Sequence, residues 1–164
     1  MNTTIRHSLY LAMAVLLSAG LAHCSDTRPT TNAVAAIELA ALDAITSDGD
    51  FRGLVIVMAS WCPPCRKELP VLAKLYEKYK GTGPQIIAVS IDADGPKAVQ
   101  PLINKTGVTF PVYWAGTSAV QHFKISGIPL VMVYEKGKLI QKLLGGQSEE
   151  TLEQIIKALQ AQSD

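Results

Sequence analysis

Cys62 and Cys65 stand three positions apart with only Pro63 and Pro64 between them, inside the stretch ASWCPPCRKELP at 59–70. Such a pair can ligate a metal, cross-link a fold, or form a disulfide that opens and closes in a catalytic cycle. A structural zinc site needs four ligands, and the histidines nearest in kind, His23 and His122, stand at no finger spacing from the pair, so no metal is expected. A loop of about four residues removes little entropy from the unfolded chain, which makes a purely structural staple a poor use of two cysteines. A redox pair is the favoured reading, with its own disulfide as the only redox group and no further cofactor.

The neighbouring residues decide how such a pair would be positioned. Leu54 to Ala59 (LVIVMA) is a short continuous apolar run rich in β-branched residues, which predicts a strand buried on both faces. Pro63 to Lys80 predicts a helix: Pro63 suits the first position, Leu69, Leu72, Leu75, Tyr76 and Tyr79 share a stripe, and Gly81 ends it. Cys62 then lies at a strand-to-helix turn, where unpaired amides and the positive end of the helix dipole stabilise a thiolate and make it the nucleophile. Cys65, one turn on and more buried, is placed to attack the mixed disulfide and release the substrate.

Further elements follow the same logic. Gln85 to Ile91 predicts a second buried strand, Gly95 to Lys105 a helix, and Ala119 to Lys124 a short helix. Leu130 to Tyr134 and Lys138 to Leu143 flank Glu135-Lys136-Gly137 as a hairpin, and Glu149 to Gln160 predicts an amphipathic helix capped by Ser148. Ala33 to Ile45 is alanine-rich and predicts an opening helix, closed by the turn Ser47-Asp48-Gly49-Asp50. Phe110, Tyr113 and Trp114 are expected mainly as core, with a partner surface as the alternative. The sum is one α/β domain over 33–164, without internal repeats. Its 15 basic and 14 acidic residues leave a net charge of +1 with no run of five like charges, so no nucleic-acid partner is expected.

The N-terminal segment reads as a targeting signal over 1–23. Arg6 supplies the charge, and Leu9 to Ala22 is uncharged but short of the roughly 20 residues a spanning helix needs. Leu21-Ala22-His23-Cys24 resembles a bacterial lipobox, with His23 departing from the small residue usual there. Lipidation of Cys24 is the expectation, and soluble cleavage after Ala22 the alternative. Lipidation would leave Cys62 and Cys65 as an even pair. Residues 24–32 have the polar composition of a tether. The expected location is the periplasm or outer face of the bacterial envelope, on the membrane by its lipid alone.

WCPPC after a buried strand, Arg66 to Pro70 behind it, Gly127-Ile128-Pro129 before the hairpin and Gly145-Gly146 after it together resemble the TlpA/ResA-like branch of the thioredoxin-fold thiol-disulfide oxidoreductases, over residues 51–160. The resemblance implies a thioredoxin-like fold, a central mixed sheet flanked by helices with an insertion between Asp92 and Gly127. It implies a cis bond at Pro129 against the disulfide, exposing the backbone of Ile128 to an extended substrate. It places Trp61, Pro63, Pro64, Ile128 and Pro129 against substrate. It also makes Glu68, on the helical face of Cys65, a candidate to exchange a proton with that cysteine, the alternative being an exposed glutamate beside Arg66 and Lys67. Ile56 departs from thioredoxins themselves, which carry a buried aspartate six residues before the first cysteine.

The implied activity is reduction of disulfides in exported proteins, recharged by a thiol electron donor at the membrane, with apocytochrome c or its maturation machinery as the implied client. A disulfide-forming oxidase and a redox-inactive module or chaperone holding extended peptides are the alternatives.

Overall fold

The computed structural model describes residues 32–161; the signal segment, Cys24 and most of the tether lie outside them. The elements in chain order are β1 (Ala35–Ala36), α1 (Leu39–Ser47), β2 (Gly53–Met58), α2 (Pro63–Tyr79), β3 (Gln85–Ser90), α3 (Pro96–Thr106), β4 (Val112–Trp114), α4 (Ser118–His122), β5 (Leu130–Glu135), β6 (Lys138–Leu144) and α5 (Glu149–Ala161). The strands form one six-stranded sheet in the order β1-β4-β3-β2-β5-β6. β1, β4, β3 and β2 run parallel, and β5 and β6 are antiparallel additions, so the sheet is mixed.

All six residues of β2 are buried, as its unbroken apolar run requires of a central strand covered on both faces. β2 is paired on one side with β3 in the register Ile56↔Ala88 and on the other with β5 as Val57↔Leu130. Leu69, Leu72 and Leu75 of α2 and Leu152, Ile156 and Leu159 of α5 enter the core at helical spacing. The two helices are tied at the surface by Lys74 to Glu149 and Lys78 to Glu153, each at 2.6 Å. Ser148 caps α5, its Oγ accepting from Thr151 N at 3.1 Å.

The hairpin closes more tightly than the sequence implied, on two residues rather than three. Lys136 and Gly137 both have positive φ, 49° and 70°, the geometry of a two-residue turn matched to strand twist. A Cβ at Gly137 would lie 2.5 Å from the carbonyl oxygens of Ser47 and Asp48, so the turn is seated against the end of α1.

The opening segment corrects the expected helix over Ala33 to Ile45. Ala35–Ala36 is a strand paired with Tyr113 and Trp114, and the helix begins only at Leu39. Alanine's helix preference of a few tenths of a kcal/mol per residue yields to the backbone bonds of a sheet edge. β4 itself was not foreseen. Phe110 is fully buried, edge-to-face with Tyr76, while Tyr113 and Trp114 are half-buried against the core, so these aromatics pack inward.

Candidate active site

β2 delivers the chain to Cys62, which N-caps α2, and Pro63 occupies the first helical position. Cys62 and Cys65 are joined by a disulfide, S–S 2.09 Å with Cα atoms 5.3 Å apart. The Cys65 backbone N–H donates to Cys62 Sγ at 3.3 Å. That amide is one of the donors a helix N-terminus leaves unpaired, and it is aimed at the sulfur that would carry charge in the reduced form. The expected contrast in burial is slight, with Cys62 3% and Cys65 1% exposed. Position at the helix end, rather than exposure, distinguishes the two sulfurs.

Trp61 is 64% exposed, so it does not pack into the core. Pro63 and Pro64 are exposed with it. The Ile128–Pro129 peptide is cis. Because Leu130 is opposite Val57, Pro129 lies at the end of β2 that leads to Cys62, with Pro129 buried and Ile128 half-buried. The loop after β6 closes the same end: Gly145 N–H donates to Pro129 O at 2.8 Å, and a Cβ on Gly146 would meet Pro64 Cβ at 3.7 Å.

Glu68 is 4% exposed, not a surface glutamate beside Arg66 and Lys67. Its Oε1 accepts from Gln147 N at 2.7 Å, and its buried Oε2 has no hydrogen-bond partner among the described residues. Burial pushes its carboxyl above the usual 4.5, partly offset by the Gln147 amide. Ile56, at the position of the thioredoxin aspartate, lies in the apolar core, so no carboxylate enters from β2.

Sequence reasoning missed a second carboxylate. Asp92, just beyond β3, is buried and accepts from Ser60 N at 2.9 Å, Ser60 Oγ at 2.5 Å and Ser90 Oγ at 2.7 Å. Its own carbonyl accepts from Trp114 Nε1 at 2.7 Å. Asp92 thus fastens the residue two before Cys62 to the neighbouring strand. The available signal was an acidic residue ending a buried parallel strand, where α/β sheets collect their sites. Among the described residues no cluster of His, Cys, Asp and Glu could hold a metal.

A family model described as Redoxin matches residues 45–159. The chain belongs to the redoxin family. Similar to this redoxin is a Bacillus anthracis protein named Thiol-disulfide oxidoreductase ResA, 34% identical over 102 residues, 61% of this chain and 58% of the relative. A Bacillus cereus protein of the same name is 37% identical over 97 residues, 57% of this chain and 55% of the relative. The redoxin chain therefore spans under three-fifths of the length of these two curated relatives. Among solved structures, a Chlorobium tepidum protein named as thiol:disulfide interchange protein DsbE is 26% identical with TM-score 0.62, covering 73% of this chain and 84% of that one. StoA from Bacillus subtilis, 24% identical with TM-score 0.58 over 66% of this chain and 83% of its own, shares the fold. The fold is thioredoxin-like, and the TlpA/ResA-like resemblance stands within this redoxin.

Proposed function

We propose that this redoxin is a thiol-disulfide oxidoreductase that reduces disulfides of exported proteins. The observation that carries the reading is the Cys62–Cys65 disulfide at the start of α2, with the Cys65 amide directed at Cys62 Sγ. In the reduced protein the Cys62 thiolate attacks one sulfur of the partner's disulfide. A sulfur–sulfur bond forms to Cys62, and the partner's other sulfur leaves as a thiolate that takes up a proton. Cys65, giving up its proton, attacks Cys62 Sγ and expels the partner's second thiolate. Two electrons have passed to the partner, and the protein's disulfide is closed. A thiol electron donor at the membrane then reopens it.

Glu68 is assigned the proton exchange with Cys65. Support comes from its burial, its raised pKa and an Oε2 without a hydrogen-bond partner among the described residues. A carboxyl held above its ordinary value lies nearer working pH and transfers protons more readily. Trp61, Pro63, Pro64 and the Ile128–Pro129 step form the surface offered to the substrate chain, and Cys24 the point of lipid attachment. Among the described residues no helix is long and apolar enough to cross a membrane. Apocytochrome c, or the machinery that matures it, is the client class carried by the resemblance.

The names of the ResA and DsbE relatives support the activity. Reduction of insulin disulfides by the prereduced protein tests it, and absence of turnover would return the chain to a peptide-binding module. A glutathione titration tests direction. A potential toward about −270 mV fits a reductase, and one near about −120 mV a disulfide-forming oxidase. Mass spectrometry of the mature N-terminus separates a lipidated Cys24 from a free chain beginning at His23.

A further inference from the structure

The cations of α2 and its C-cap divide into two sets. Those facing α5 and the end of the helix are matched: Lys74 with Glu149, Lys78 with Glu153, and Lys80 with Glu77. Arg66 and Lys67, on the turn after Cys65, have no side-chain partner among the described residues, and neither has Lys105 at the end of α3. These three line one groove between α2 and α3, of about 570 Å³, with Pro63, Pro70 and Leu102 supplying apolar surface. Among the described residues no acidic side chain lines it. Its near end is Pro63, the residue bonded to Cys62.

An unneutralised cluster beside apolar surface has a defined complement. We infer that this groove seats the part of the substrate chain flanking its disulfide, and that it selects segments carrying Asp or Glu beside an apolar side chain. The inference rests on the thiol-disulfide reading and adds the substrate's chemistry to it. Peptide is favoured over other anions because Pro63, the residue bonded to Cys62, lines the groove, so a chain whose disulfide reaches that sulfur has its flanking residues within reach of these cations. Like-signed charge at a site raises the encounter rate of opposite charge and lowers that of like charge, an effect carried mainly by on-rate and weakened by salt. Apolar contact with Pro63, Pro70 and Leu102 persists at high salt, because burial of apolar area does not depend on screening.

The test uses the full chain, prereduced, and three matched peptides. Each carries a central cysteine capped as its methyl disulfide, flanked by a leucine and by aspartate and glutamate, by lysines, or by serines. Reaction oxidises Cys62 and Cys65 to their disulfide and releases peptide thiol and methanethiol. The acidic peptide should react about tenfold faster than the lysine peptide at low salt. That ratio should approach one in about 1 M salt, where the screening length falls to about 3 Å. The variant Arg66→Gln/Lys67→Gln/Lys105→Gln should lose the ratio while its serine-peptide rate stays close to the parent's. Lys74→Gln/Lys78→Gln/Lys80→Gln, which removes the same formal charge from the matched face, should keep it.

Equal rates for acidic and lysine peptides, with the serine peptide reacting normally, would overturn the inference and leave the exchange activity standing. No reaction with any peptide would overturn the activity and the inference with it. A ratio lost equally in both triple variants would assign the effect to net charge and overturn the groove. Phosphatidylglycerol vesicles that abolish the acidic peptide's advantage would assign the cations to a lipid surface. Self-association lost in the first variant would assign them to a second copy of the chain, and either outcome displaces the peptide.

Discussion

Removing the Asp92 carboxylate should loosen the turn that presents Cys62. The carboxylate receives Ser60 N, Ser60 Oγ and Ser90 Oγ. Ser90 is fully buried, so no solvent replaces its acceptor in an Asp92→Ala protein without opening the fold. At a net of about 1 kcal/mol for each of the lost bonds, Asp92→Ala should destabilise the protein by about 3 kcal/mol. Asp92→Asn, which keeps one acceptor and lets a serine hydroxyl rotate to accept from the new NH₂, should cost about 1 kcal/mol. With a urea m-value of about 1.5 kcal/mol/M, the alanine midpoint falls by about 2 M and the asparagine midpoint by under about 1 M. The functional part is read from the ultraviolet thiolate absorbance of the reduced protein. Once Ser60 is unfastened, Cys62 is held less firmly against the Cys65 amide and should titrate at higher pH in the alanine variant. A loss below about 1 kcal/mol for alanine, with an unchanged thiol titration, would refute the idea that this carboxylate holds the active-site turn.

Glu68→Gln should change how stability depends on pH. Burial raises the Glu68 carboxyl in the folded protein above its ordinary 4.5, so its contribution to stability is fully present below the unfolded value and is lost as pH rises through the folded one. The glutamine variant escapes that loss, and its stability relative to the parent should grow with pH across this window; a difference constant with pH contradicts the assignment. Gly137→Ala should cost more than about 1 kcal/mol in chemical denaturation, because alanine resists positive φ and its Cβ would sit 2.5 Å from the carbonyl oxygens of Ser47 and Asp48. Glu153, held by Lys78 Nζ and Tyr79 OH at 2.6 Å each, should titrate at about 2 by NMR, and Lys78→Gln should move it back toward the ordinary carboxylate range.

Much of this architecture was legible because the sequence signals were redundant. LVIVMA reads as a central strand whichever neighbours flank it, and Pro63 with the leucine stripe leaves few alternatives to a helix beginning at the cysteines. β1 and β4 were illegible for the opposite reason. Two alanines and a Val-Tyr-Trp triplet carry no period, and they become strands only through pairing with partners far along the chain. At the site, the spacing of Glu68 from Cys65 located it, but its hydrogen-bond donor, the Gln147 amide, stands 79 residues away. Asp92 was overlooked because its partners, Ser60 and Ser90, look like ordinary loop and strand-end residues until β2 and β3 stand side by side. Trp61 shows the converse, an aromatic that hydrophobicity alone would bury and that the turn holds in solvent.

The central claim is that Cys62 attacks and Cys65 resolves, and trapping measures it most directly. The oxidised partners of Cys65→Ala and Cys62→Ala should be compared after incubation with a disulfide-bearing protein, on non-reducing gels with thiols blocked. Without Cys65 the mixed disulfide on Cys62 has no internal route to release, so Cys65→Ala should accumulate reducible high-mass complexes and Cys62→Ala few or none. Equal trapping by the two variants would mean that the helix end does not single out Cys62, and the assignment of roles drawn from its geometry would be wrong.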